Sequence, residues 1–133
     1  MTQATAGLRY KQLGDALARL KEAVEKPAST WGRTDVVVQR FEFTAELFWK
    51  VLKYALEQQK EEAPFPKLRL KKAFQAGWIR DEQIWLRILD DRNLTSHIYN
   101  EAIAAEIATR VPGYLSAMEN LYAVLEKILE LKQ

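Results

Sequence analysis

Apolar residues in this chain recur every three to five positions, in blocks interrupted by proline, glycine or short polar runs. Leu8, Leu13, Leu17, Leu20 and Val24 form one such stripe ahead of Pro27, with the spacing of an amphipathic helix. The next segment, TDVVVQRFEFTAELFWKVLKYALEQQ, is the longest periodic block, with Thr34 as its expected N-cap and Asp35 suited to the positive end of the helix dipole. On a helix advancing about 100° per residue, Glu42, Glu46, Lys50, Lys53 and Glu57 share one narrow arc. Val37, Phe43, Thr44, Leu47, Phe48, Val51 and Ala55 fill the other side. A helix that is apolar over most of its circumference belongs near the centre of a bundle or at an interface.

The stretch KEEAPFP, residues 60 to 66, reads as a linker, because its two prolines stop a helix and preset a turn. KLRLKKAFQAGW predicts a short helix with Gly77 in the left-handed position after its C-cap and Trp78 folding back on the last turn. Asp81 is placed to cap the next helix, EQIWLRILDDRN, and Asn100 followed by Glu101 marks another start, running to about Arg110 and ended by VPG as a plain turn. Leu115, Met118, Leu121, Tyr122, Leu125, Ile128 and Leu129 give a last amphipathic helix. No window alternates with a period of two, so strands are not expected. The expectation is an all-α protein, an up-and-down helical bundle of four main helices plus one or two short ones, in a single domain over residues 1–133.

Composition narrows the function classes only a little. With 48% hydrophobic and 29% charged residues the chain is an ordinary globular protein. A net charge of +2 and a pI near 8.8 permit a nucleic-acid partner without announcing one. The absence of cysteine excludes disulfides and thiolate metal sites. The opening MTQATAGLRY does not look like a secretion signal. No apolar run approaches the roughly 18 residues that cross a bilayer. A cytoplasmic protein with no membrane association is expected. There is no Gly-rich phosphate loop, no His pair at metal spacing and no Gly-x-Ser-x-Gly elbow. Neither a metal nor a cofactor is expected.

Two places break the pattern. Arg40 falls within the apolar arc of the long helix. A buried guanidinium without a partner costs on the order of several kcal/mol, so Arg40 needs a carboxylate or faces an opening. Asp90 and Asp91 are candidate partners for a supporting ion pair. The second place is LDDRNLTSHIYN, which holds the single histidine of the chain, His97. Arg92 and His97 suit a phosphodiester: arginine offers a charged bidentate fork for phosphate oxygens, and histidine titrates near neutrality and can move a hydroxyl proton. On an unbroken helix they would diverge by about 140°. They converge only if the helix ends between them or if two chains each contribute, and Thr95 and Ser96 are suitable residues for such an end.

QRFEFTAELFWK, AFQAGWI, WLRILDDRNLTSHIY and the closing amphipathic helix together resemble the HEPN superfamily over roughly residues 8 to 130. Within it, the chain is similar to the nucleotidyltransferase substrate-binding proteins. That resemblance implies a bundle like the C-terminal domain of kanamycin nucleotidyltransferase, a homodimer or higher homo-oligomer, and a minimal nucleotidyltransferase (MNT) as partner. The family's R-x4-H-x-Y motif maps onto Arg92, His97 and Tyr99. The resemblance implies a metal-independent endoribonuclease toxin of a type VII-like toxin–antitoxin pair. His97 would assist the ribose 2′-hydroxyl, Arg92 would hold the phosphate, Asn93 would orient the RNA, and AMP transfer to Tyr99 would silence the site. The alternative it implies is a non-catalytic substrate- or nucleotide-binding subunit of a two-component nucleotidyltransferase. A third possibility is a structural bundle in which RNLTSH merely caps helices.

Overall fold

The computed structural model describes residues 2–96 and 100–130. The helices begin and end largely where the side chains at their termini direct. Thr2 caps the first, α1 (Gln3–Glu25), by accepting the Thr5 N–H. The second, α2 (Arg33–Gln58), starts two residues earlier than a Thr34 cap predicts. Gly32 sits at the N-cap with φ of 75° and turns the chain sharply. Arg33 then reaches back to donate to the carbonyls of Val24 and Lys26, at 3.0 and 2.8 Å. One guanidinium thus satisfies the end of α1 while opening α2, which leaves Thr34 no capping task.

Helix α3 (Pro66–Gln75) begins on a proline, whose missing N–H costs nothing in a first turn. It ends as predicted: Gly77 has φ of 81°, Trp78 N–H reaches Ala73 O at 2.9 Å and Gly77 N–H reaches Phe74 O at 3.0 Å. Those two bonds are the Schellman pair. Asp81 caps α4 (Glu82–Thr95) by accepting from Ile84 N–H, and Asn100 caps α5 (Glu101–Arg110) by accepting from Ala102 and Ile103 N–H. VPG is more than a turn. Val111–Tyr114 form a 3₁₀ turn, with Val111 and Tyr114 buried, that leads directly into α6 (Leu115–Ile128). Among the described residues the chain is all-helical, without strands.

Helix α2 occupies the centre and packs against α1, α3, α4, α5 and α6. Its Phe41, Phe48 and Leu52 are fully buried, as are Trp85 of α4, Ile107 of α5 and Met118 of α6. Trp85 meets Phe48 and Trp49 edge-on, with ring centroids 5.1 and 6.1 Å apart. Two residues of the apolar stripes stay outside the core: Leu8 is 57% exposed and Phe43 is 59% exposed. Phe43, expected on the apolar side, instead borders the polar arc, about 20° from Lys50 on the helix, and lines a groove between α1 and α2.

Contact between α1 and α6 closes the bundle. Tyr10 stacks flat on Tyr122, centroids 4.3 Å apart, and its hydroxyl donates to the Tyr122 carbonyl at 2.8 Å. Gly14 makes room for the Tyr122 ring, since a Cβ at that position would lie 2.9 Å from Tyr122 Cζ and closer still to the hydroxyl oxygen. Gly14→Ala is therefore expected to lower stability. The helix gains about 0.5–1 kcal/mol from alanine, but overpacking costs about 1–3 kcal/mol. On a Tyr122→Leu background the same change should be neutral or stabilising. Thermal melts of the four proteins in this cycle check the expectation, and an equal loss on both backgrounds would refute it.

Candidate functional site

Trp85, Ile88 and Leu89 root α4 in the core, and near its end Asp91 and Arg92 follow one another. Adjacent helical residues point about 100° apart, so Asp91 and Arg92 reach different neighbours. Asp91 is buried. It accepts from Arg110 Nε at 2.9 Å and Nη2 at 2.7 Å, a bidentate pair, and from the Tyr114 hydroxyl at 2.5 Å. The Arg40–Asp90/Asp91 ion pair expected from the sequence is accordingly not formed. Asp90 is exposed, and Arg40 instead donates to the Arg19 carbonyl of α1 at 2.8 Å. The other route open to Arg40 is the one taken: it is only half-buried and lines the groove between α1 and α2. A backbone carbonyl and an open groove satisfy the guanidinium without a carboxylate.

Arg92 turns the other way, onto α2, where it donates through Nη2 to Glu46. Its side chain is 16% exposed, and its Nε is buried with no hydrogen-bond partner among the described residues. The turn then stops. Thr95 and Ser96 hydroxyls donate to the carbonyls of Arg92 and Asn93, at 2.6 and 2.9 Å. The α-helix ends at Thr95, with Ser96 as its C-cap, so the break expected between Arg92 and His97 is present. His97 and Tyr99 themselves lie outside the described residues.

Arg92, Asn93 and Ser96 form one wall of a groove of about 510 Å³. Glu46, Trp49, Lys50 and Lys53 of α2 form the floor, and Pro66 and Arg69 of α3 the far side. Arg69 is fixed there by three backbone carbonyls, donating to Ala63 at 2.7 Å, Pro64 at 3.1 Å and Trp49 at 3.3 Å. Burial pulls its pKa down, against the opposing influence of Glu57 and Glu46. Glu46, Lys50, Lys53, Arg69, Arg110 and Tyr114 were not singled out as site residues from sequence. The polar arc Glu46–Lys50–Lys53 was visible as such, but nothing local pairs Asp91 with residues 19 and 23 positions away. No group of three or more His, Cys, Asp or Glu among the described residues could hold a metal ion. A rigid guanidinium beside an amide, facing three further cations, suits a ligand with anionic oxygens.

A family model described as "Nucleotidyltransferase substrate binding protein like" matches residues 8–127. The chain belongs to that family. Among curated proteins, the "Probable ribonuclease HepT" of Haemophilus influenzae (strain ATCC 51907 / DSM 11121 / KW20 / Rd) is 31% identical over 84 residues, covering 59% of this chain and 57% of the relative. The match thus spans little more than half of that relative's length. A crystal structure of a Thermus thermophilus protein superposes with a TM-score of 0.78 at 38% identity, covering 85% of this chain and 98% of that one. Family, helical content and neighbour agree on the bundle expected from the resemblance. No helix among the described residues is long and apolar enough to cross a membrane.

Three tyrosines, Tyr114 beside Asp91 and the Tyr10–Tyr122 pair between α1 and α6, make the fold sensitive to alkali. The Tyr114 hydroxyl is pushed up to about 12, first by burial and then by its bond to Asp91. Tyr10 and Tyr122 are also raised, first by burial. A raised folded pKa means the native chain keeps a proton that the unfolded chain releases above about pH 10. The contribution is therefore complete below about pH 10 and is lost as pH climbs through the folded values. Urea midpoints should fall between about pH 10 and 12, and Tyr114→Phe should shallow that fall. A level midpoint across the range would rule out this coupling.

Proposed function

We propose that this protein is a cytoplasmic, HEPN-type partner of a minimal nucleotidyltransferase and a metal-independent endoribonuclease, the toxin of a type VII-like toxin–antitoxin pair. The observation that carries this reading is the placement of Arg92. It is held by Glu46 on the last turn of a helix that stops before His97, next to Asn93, in a groove with three further cations. A relative at 31% identity bears the name of a ribonuclease.

In this reading Arg92 holds the scissile phosphate and Asn93 orients the strand. His97 takes the proton of the ribose 2′-hydroxyl as that oxygen attacks the neighbouring phosphorus. The P–O5′ bond breaks and the 5′-oxygen takes up the proton that the His97 imidazole received, leaving a 2′,3′-cyclic phosphate and a 5′-hydroxyl. Two copies related by a two-fold axis bring two sets of motif residues into one cleft. Silencing follows when the Tyr99 oxygen bonds the α-phosphorus of ATP on the nucleotidyltransferase, with pyrophosphate leaving and the phenolic proton released. The adduct adds bulk and negative charge where RNA phosphate would sit.

His97→Ala is expected to slow RNA cleavage by about 10² to 10⁴-fold in chelator-containing buffer while leaving the melting temperature unchanged. Equal cleavage by wild type and variant sinks the reading. Incubation with the partner nucleotidyltransferase and ATP should add AMP to Tyr99, read by mass spectrometry, and Tyr99→Phe should stay unmodified. The description of the family favours a second reading, a non-catalytic subunit presenting a substrate or nucleotide to the nucleotidyltransferase. Nucleotide binding in calorimetry without RNA cleavage would select it.

A further inference from the structure

Two grooves on the surface meet at one residue. The first, of about 650 Å³, lies between α1 and α2 and reaches Glu46. The second is the groove of about 510 Å³ beside Arg92, and it also reaches Glu46. Their common floor is a single line of α2 residues: Gln39, Phe43, Glu46, Lys50 and Lys53. At about 100° and 1.5 Å per residue, these five keep within an arc of about 80° and extend about 21 Å along the helix.

The two halves differ chemically. In the first, Asp15, Glu42 and Glu46 offset Arg19 and Arg40, so there is no excess of positive charge. What it offers is the ring of Phe43, 59% exposed, beside the Gln39 amide. In the second, Lys50, Lys53, Arg69 and Arg92 face one carboxylate, Glu46, which Arg92 already engages. One half suits an aromatic base with hydrogen-bonding edges, and the other suits phosphates.

We propose that this line of α2 is a track for single-stranded RNA, with a base stacked on Phe43 on one side of Arg92 and phosphates on Lys50 and Lys53 on the other. The proposal rests on the ribonuclease reading and names its substrate class. Stacking needs a free base face, which a duplex keeps covered by its own neighbours, whereas an unpaired strand offers one at every nucleotide. Two lysines three residues apart point the same way and sit beside a third cation, Arg69, that three carbonyls hold in place. This local charge complementarity to a phosphate backbone exists although the whole chain carries only +2.

The test uses the full chain carrying His97→Ala and a fluorescein-labelled oligoribonucleotide of about 12 nucleotides, single-stranded or annealed to its complement. Anisotropy is measured across about 50 to 200 mM salt, with sedimentation velocity on the same samples. The single strand should bind more tightly than the duplex. Lys50→Ala/Lys53→Ala should reduce the slope of log K against log salt by about 1.4, the loss of two phosphate contacts. Phe43→Ala and Phe43→Leu should each weaken binding on the order of tenfold with the slope unchanged, because leucine keeps apolar bulk but offers no ring. Equal binding of duplex, or binding unchanged in the lysine and Phe43 variants, would overturn the track. So would Phe43 variants that alter the sedimenting species without altering RNA affinity, since that assigns the face to a second copy of the chain. Cleavage by the chain with native His97 separates the two readings. Cleavage together with unchanged variant binding removes the track alone, and track-dependent binding without cleavage removes the ribonuclease alone.

Discussion

Helix α2, 26 residues long and in contact with five other helices, has little circumference left for water. That constraint organises the molecule. Twelve of its residues are buried, from Val37 to Leu56, so the charged side chains from Glu42 to Glu57 have one remaining direction in which to point. Glu46, Lys50 and Lys53 gather on that side because the hydrophobic effect has claimed the rest. The polar strip faces the gap between α3 and the end of α4, and the candidate site is built along it.

The end of α4 is held against this strip by two opposite charges that are neighbours in sequence. Asp91 is bonded by Arg110 and Tyr114 on the side of α5 and the 3₁₀ turn, while Arg92 is bonded by Glu46 on the side of α2. Neither carboxylate is left to the other's cation. Pairing each charge with a partner from a different helix fixes the rotation of α4 about its own axis, which packing of Ile88 and Leu89 alone would specify less sharply. Such an arrangement limits where Asn93 can point.

Much of the fold was legible because helix ends are local chemistry. Gly77, Asp81 and Asn100 act within a few residues of themselves, and each does what its type suggests. The long helix was legible by its periodicity and by how little of it was polar. What escaped depends on contacts across the bundle. Thr34 was displaced as a cap because Arg33 and Gly32 join α1 to α2 by another route. Arg40 drew attention as an anomaly, yet its partner is a main-chain carbonyl, which has no signature in a sequence. Phe43 is grouped with the apolar side by its residue type, yet at about 100° per residue it falls next to Lys50 at the border of the polar arc, where no helix covers it. The pairing of Asp91 with Arg110 needed the crossing of α4 and α5, which no spacing rule supplies. The motif Arg92, Asn93, His97, Tyr99 was readable as a pattern, and of its surroundings only the helix stop at Thr95 was foreseen.

The hydroxyl groups at that stop have an electrostatic consequence. A helix C-terminus carries roughly half a negative charge on its last carbonyls, an unfavourable neighbour for any anion. Thr95 and Ser96 turn O–H donors onto two of those carbonyls, and Asn100, four residues past Ser96, starts α5, whose N-terminus carries the opposite partial charge. The negative pole at the end of α4 is therefore partly quenched by two hydroxyls, while the start of α5 four residues on keeps a positive pole.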